Sequence, residues 1–182
     1  MNIDLAWHPA DRPSDEALAE HVGRCLGVEP ALVRTGRHCP SCGSDTHGRP
    51  WTRLEDGTRV AVSLSRAGDH LVTAISLGHV GDEVPRGAST ESANESEIGV
   101  DLGVDIEVVA DVEARWNPRL VLHPDDPPGV DPTWAWCAKE AILKSTGTGL
   151  AVPMTDVRLA DHRVMERAAP AGLICVVAFT RR

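Results

Sequence analysis

The chain has 182 residues, 42% of them hydrophobic, with 27 acidic against 18 basic side chains and a formal net charge of −9. That length holds one core, or two small halves sharing one, and no apolar run approaches the roughly 20 residues of a membrane span. The negative excess lies wholly in residues 1–110 (9 basic, 18 acidic groups; residues 111–182 hold 9 and 9), and with no basic stripe anywhere nucleic acid is excluded as a partner.

Asn2 to His8 reads as a short strand (Ile3, Leu5, Trp7) without the basic, apolar opening of a signal peptide, so a cytoplasmic protein is expected. A packing helix follows, with Ser14 as N-cap, Asp15 and Glu16 at its positive end, and a stop at Gly27. Next come Cys39-Pro40-Ser41-Cys42 and His47-Gly48-Arg49-Pro50. Five cysteines, an odd number, argue against a disulfide framework. Cys39 and Cys42 with His38 and His47 have zinc-ligand chemistry, but no second Cys pair stands at a distance and all four lie within ten residues, a tight fit for tetrahedral closure. Gly48-Arg49-Pro50 reads as a turn in which Gly lets backbone approach a ligand and Arg offers a fork for phosphate.

Arg59 to Ser65 and Leu71 to Val80 alternate as strands joined by a hairpin turn at Arg66-Ala67-Gly68-Asp69, with Ser65 and Arg66 at the strand end, where they can meet an anion. Gly81 to Glu97, rich in Gly, Ser, Glu and Asn, reads as a long exposed, mobile loop. From Ile98 to Glu107 the chain alternates again: Val100, Leu102, Val104 and Ile106 point one way, Asp101, Gly103, Asp105 and Glu107 the other. Acids on one face of an apolar strand are costly unless a cation or donors meet them. Asp105 and Glu107, about 7 Å apart along a strand, can share one oxygen-preferring cation, whereas Asp101, roughly 13 Å from Asp105, cannot. Gly103 leaves room for a ligand.

Asp111 to Pro132 reads as loop, its acids (Asp125, Asp126) capping and solvating. A helix follows over Pro132 to Gly147 and carries Lys139 and Lys144, the only lysines; the other sixteen cations are Arg. At about 100° per residue, Trp134, Ala138, Ala141 and Ile142 form a core stripe, and Trp136, Glu140 and Lys144 a second stripe at i, i+4, i+8. Glu140–Lys144 alone could be a surface pair worth about 0.3 kcal/mol. Beyond Gly149, two further strands are expected, one through Val157 and Leu159 and one from Leu173 to Phe179.

Taken together, Gly103-Val104-Asp105-Ile106-Glu107 and, some thirty residues on, Trp136-x-x-Lys139-Glu140-Ala141-x-x-Lys144 resemble the 4′-phosphopantetheinyl transferase superfamily. Gly48-Arg49-Pro50 and Ser63-Leu64-Ser65 resemble its upstream motifs in the same order, pointing to the larger, monomeric type that activates peptide and polyketide synthases. The resemblance implies a pseudo-twofold α+β fold, two halves (1–97 and 98–182) each with a small antiparallel sheet and a packing helix, and coenzyme A bound between them.

It also implies Mg²⁺ and an acyl-, peptidyl- or polyketide-carrier protein as partner. Residue by residue, Asp105, Glu107 and Glu140 match the metal ligands, Lys144 the lysine at the pyrophosphate, Arg49 (with Pro50) the adenosine-side cation, and Ser65 the serine of a Ser-His pair in which Arg66 replaces the His. Lys139 is placed beside the phosphates. Phosphopantetheine transfer to a carrier serine, releasing 3′,5′-ADP, is the implied activity, with Glu140 and Lys144 as catalytic residues. The other readings are a non-catalytic relative that binds coenzyme A or a carrier protein, and a zinc-knuckle interaction protein built on Cys39 and Cys42.

Overall fold

The computed structural model describes residues 2–77 and 100–181. The loop expected over 81–97 lies outside the described residues. In chain order the elements are β1 (Asn2–Pro9), α1 (Ser14–Leu26), β2 (Arg34–His38), β3 (Arg49–Arg53), β4 (Arg59–Val60), β5 (Val62–Ala67), β6 (His70–Leu77), β7 (Val100–Val108), α2 (Val109–Arg115), α3 (Pro118–Val121), α4 (Pro132–Thr146), β8 (Arg163–Arg167) and β9 (Leu173–Arg181). The architecture is α+β, with three small antiparallel sheets ordered β1-β6-β5, β2-β3-β4 and β7-β9-β8.

The first and third sheets each carry a helix. Leu18 and Val22 of α1 pack on Val62 and Ile75, and Ala138, Ala141 and Ile142 of α4 pack on Val176 and Ala178. Between the two sheets lies a shared core in which Leu102, Val104 and Ile106 of β7 meet Ile3, Val72 and Ala74. The apolar face of β7 therefore looks at the first sheet, and its acid-bearing face looks toward α4. Helix α4 begins where Asp131 accepts a hydrogen bond from the Trp134 backbone N–H at 2.8 Å, and it ends at Gly147 with φ +72°.

Several local expectations are corrected. Ser14 is the first helical residue, not the cap; Pro13 occupies the capping position and its carbonyl receives the Ala17 N–H at 3.0 Å. The strand expected from Arg59 to Ser65 changes sheets: Val60 pairs with Thr52 while Val62 pairs with Ile75. Arg49 and Pro50 start a strand rather than form a turn, and the bend falls on Gly48 at φ +97°, where an added Cβ would stand 2.4 Å from the His38 carbonyl oxygen. The stretch expected as loop from Asp111 holds the end of α2 and all of α3.

Val157 caps one short 3₁₀ turn and Leu159 begins another, and their backbone groups bond to Lys139 and Asp126 instead of to a strand partner. Gly103 faces no ligand space: a Cβ there would lie 1.9 Å from the Ala141 carbonyl oxygen, so the glycine lets α4 sit directly on β7. That close approach brings the acids of the strand up to the helix.

Candidate active site

One cavity of about 630 Å³ opens where β5, β7, α4 and the start of β3 meet. Asp105 and Glu107 of β7, Glu140 and Lys144 of α4, Ser65 and Arg66 of β5, and Arg49 and Pro50 of β3 all line it. Four separate segments thus deliver the site residues singled out in the sequence, Lys139 excepted.

At its centre, Asp105 is 2% exposed. Its Oδ1 accepts from Lys144 Nζ at 2.6 Å and from Ser65 Oγ at 2.7 Å, and Lys144 also donates to Ser65 Oγ at 2.9 Å. Its Oδ2 is buried with no hydrogen-bond partner. Leaving a buried carboxylate oxygen unmet costs free energy, so the site is built to receive something there. Glu107 accepts from Trp136 Nε1 at 3.0 Å. Burial, reinforced by the negative charge of Asp105, pushes the Glu107 carboxyl up to about 7, and the same two causes in the same order raise Glu140. Two carboxyls pushed up by loss of water and by a common neighbour form an all-oxygen set that a hard cation would relieve. The ligand oxygens of the three acids do not all lie within 4.8 Å of one another.

Around this centre the predicted residues divide. Arg49 Nη2 pairs with Asp101 at 2.6 Å on the wall of the cavity. Arg66 lines the cavity, but its guanidinium donates to the carbonyls of Ala10 and Arg12 at 3.0 and 2.7 Å, so it braces the β1–α1 connection. Lys139 is a correction. It is fully buried, away from the cavity lining, with Nζ 2.5 Å from Asp126 Oδ2, 3.0 Å from the Met154 carbonyl and 2.7 Å from that of Val157. Five residues separate it from Lys144, about 140° around a helix, which turns it into the core and away from any phosphate.

Three contributors had no role assigned from the sequence. Trp136 fixes Glu107, and its place on the Glu140–Lys144 stripe was the signal. Ser63 Oγ accepts from the Val104 backbone N–H at 2.9 Å and ties β5 to β7. Arg37 joins the cavity wall through the pairing of β2 with β3.

Two groups of three among the described residues have ligand atoms within 4.8 Å of one another, Cys39/Cys42/His47 and Asp4/His21/Cys25. In the second, His21 spends both ring nitrogens on protein partners, Thr73 Oγ1 at 2.7 Å and Asp4 Oδ1 at 2.9 Å. His38 takes no part in the first. Burial raises the thiols of Cys137 and Cys175, which are inert core residues.

In this α+β fold an acid-bearing strand and a lysine-bearing helix line one cavity with the arginines of β3 and β5. A family model described as the 4′-phosphopantetheinyl transferase superfamily matches residues 101–170, the stretch from the acid strand through α4 and β8. The match supports a transferase of phosphopantetheinyl type, and members of that superfamily use coenzyme A and a divalent metal. No curated protein matches the chain. The upstream contributors Arg49, Ser65 and Arg66 lie outside the matched stretch. No helix among the described residues is long and apolar enough to cross a membrane.

Proposed function

We infer that the chain transfers 4′-phosphopantetheine from coenzyme A to a serine of an acyl-, peptidyl- or polyketide-carrier protein, releasing 3′,5′-ADP. The observation that carries this reading is the unpartnered, buried Oδ2 of Asp105 in a cavity shared with Glu107, Glu140 and Lys144. Asp105, Glu107 and Glu140 would hold Mg²⁺, the ion suited to an all-oxygen set beside a pyrophosphate, which supplies charge neutralisation and alignment of the phosphoryl group when bound. The N-terminal half (1–97) contributes the nucleotide side, and the C-terminal half (98–182) the acids and the catalytic helix.

Arg49 and Arg37 give the phosphates a cationic wall at one end. Lys144, 30% exposed at the other end, stands where negative charge develops on the leaving 3′,5′-ADP, so it stabilises the transition state more than the ground state. Glu140 takes the proton of the carrier serine through a water; its raised pKa makes it a better base than an ordinary glutamate. The serine oxygen forms the new P–O bond as the pyrophosphate bridge breaks. Trp136 keeps Glu107 oriented, and Ser65 keeps Asp105 and Lys144 in register.

Incubation with coenzyme A, Mg²⁺ and apo-carrier domains, read by intact-protein mass, tests the activity. A mass gain equal to the phosphopantetheine arm is expected on at least one carrier. Asp105→Asn should slow it at least about 10³-fold, or about 4 kcal/mol of transition-state stabilisation. Wild-type protein that binds coenzyme A but modifies no carrier would favour the non-catalytic reading.

A further inference from the structure

The cluster Cys39, Cys42 and His47 plays no part in the transfer chemistry. It sits on the ten-residue connection between β2 and β3, whose closing pair is His38 with Arg49. The connection folds back on itself: the Gly43 N–H donates to the Cys39 carbonyl at 2.8 Å, the Cys39 N–H donates to the Ser44 carbonyl at 2.9 Å, and Gly43 takes φ +73°. This turn brings both thiols to the same side as His47, which lies later on the same connection. One ligand atom from each of the three residues lies within 4.8 Å of the others, and Cys42 Sγ is 3.4 Å from His47 Nε2. A tetrahedral zinc with Zn–S of about 2.3 Å and Zn–N of about 2.0–2.1 Å spaces its ligands roughly 3.5–3.8 Å apart. The spacing objection raised by the sequence, too few residues between ligands, is met by the hairpin, which closes the distance without a second Cys pair.

We propose that Cys39, Cys42 and His47 bind one Zn²⁺, completed by solvent, which clamps the β2–β3 connection and thereby fixes the Arg37–Arg49 wall of the cavity. The clamp function rests on the coenzyme A reading above; the zinc site itself does not. Thiolate and imidazole select zinc, whereas the carboxylates of the transfer site select magnesium, so the chain sorts two metals by ligand softness. Cys39, Pro40 and Ser41 also line the cavity that Arg49 enters. Gly48, next to His47, packs so closely on the backbone of His38 and Cys39 that an added Cβ would stand 2.4 Å from the His38 carbonyl oxygen. Fixing residues 39–47 therefore fixes where Arg49 begins its strand.

Metal content of the full chain, purified reduced and dialysed in excess Mg²⁺, is the test, read without coenzyme A so that it is independent of transfer. About one zinc per chain is expected, falling at least about tenfold in Cys39→Ser/Cys42→Ser and in His47→Ala, which keeps both thiols. Cobalt substituted into the wild type should show thiolate-to-metal charge-transfer absorption that the double variant lacks. Because the loop is exposed, circular dichroism of the variants should match the wild type. The double variant should bind coenzyme A more weakly by titration calorimetry. A zinc-free wild type under zinc supply, or zinc retained by the double variant, overturns the site; unchanged coenzyme A affinity in a zinc-free variant overturns the clamp.

Discussion

Two lysines on one helix have opposite fates. Lys139 and Asp126 are both fully buried, and three oxygens saturate the ammonium while the carboxylate also accepts the backbone N–H groups of His123 and Leu159. Burial pushes Asp126 up, but the bond from Lys139 and those two N–H groups together hold its carboxyl below the ordinary value. Lys144 and Asp105 also form an ion pair, yet Lys144 is part-exposed and Asp105 keeps one oxygen unmet. A closed pair organises the chain around it; an open pair is available to a ligand. The difference lies in the number of partners each charge has, not in residue type.

Breaking the closed pair should have the larger consequence for the fold. Lys139→Met leaves Asp126 as an uncompensated buried charge and strips the Met154 and Val157 carbonyls of their donor. The expected cost is about 3–5 kcal/mol, or a melting temperature lower by roughly 6–20 °C at this chain length. Activity per folded molecule at low temperature should stay near that of the wild type. A Lys139→Met protein with unaltered melting but poor transfer would show that Lys139 works on substrate after all.

The open pair should behave in the reverse manner. Lys144→Ala is expected to lower kcat about 10²-fold, near 2.7 kcal/mol, with a smaller change in the affinity for coenzyme A. Without divalent cation the variant should also melt below the wild type, because Asp105 then loses its nearest positive charge, and Mg²⁺ should restore most of that loss. A pure affinity defect with kcat intact would remove Lys144 from the leaving-group role.

Which lysine was which could not be read from the helix alone. Periodicity placed Trp136, Glu140 and Lys144 on one stripe and Ala138, Ala141 and Ile142 on another, and alternation placed Asp105 and Glu107 on one face of β7; these depend only on local geometry. Lys139 was misassigned because its partners come from Asp126 and from the 3₁₀ turns after α4, where Val157 and Leu159 mimic the apolar alternation of a strand. Gly103 was misread for a related reason: strand alternation gives the face but not the helix pressed against it. Arg66 was expected to meet an anion at the end of its strand; its engagement by the Ala10 and Arg12 carbonyls is a tertiary contact across more than fifty residues, which local pattern does not show.

The smallest expected effect sharpens the open side of the comparison. Burial and the neighbouring charge of Asp105 push the Glu107 carboxyl up to about 7 in the folded chain, from 4.5 for the free group. Between those values the folded state holds a proton that the unfolded state has lost, so metal-free stability should fall as pH rises from about 4.5 to about 7. Glu107 is only partly buried, and solvent screening reduces its share to on the order of 1 kcal/mol. His8 and His21, lowered by burial, act in the opposite sense, since they add stability as pH rises through 6.5. Comparing wild type with Glu107→Gln cancels the histidines. In chelator, the melting difference between the two proteins should grow from near zero at pH 5 to the full effect at pH 8, with the glutamine variant the more stable. Adding Mg²⁺ should then raise the wild type at pH 8 more than at pH 6, where protons compete for Glu107, and should raise the variant least. Parallel pH profiles with and without the carboxylate would mean that Glu107 is an ordinary exposed acid and that the open pair has only Asp105 to offer a cation.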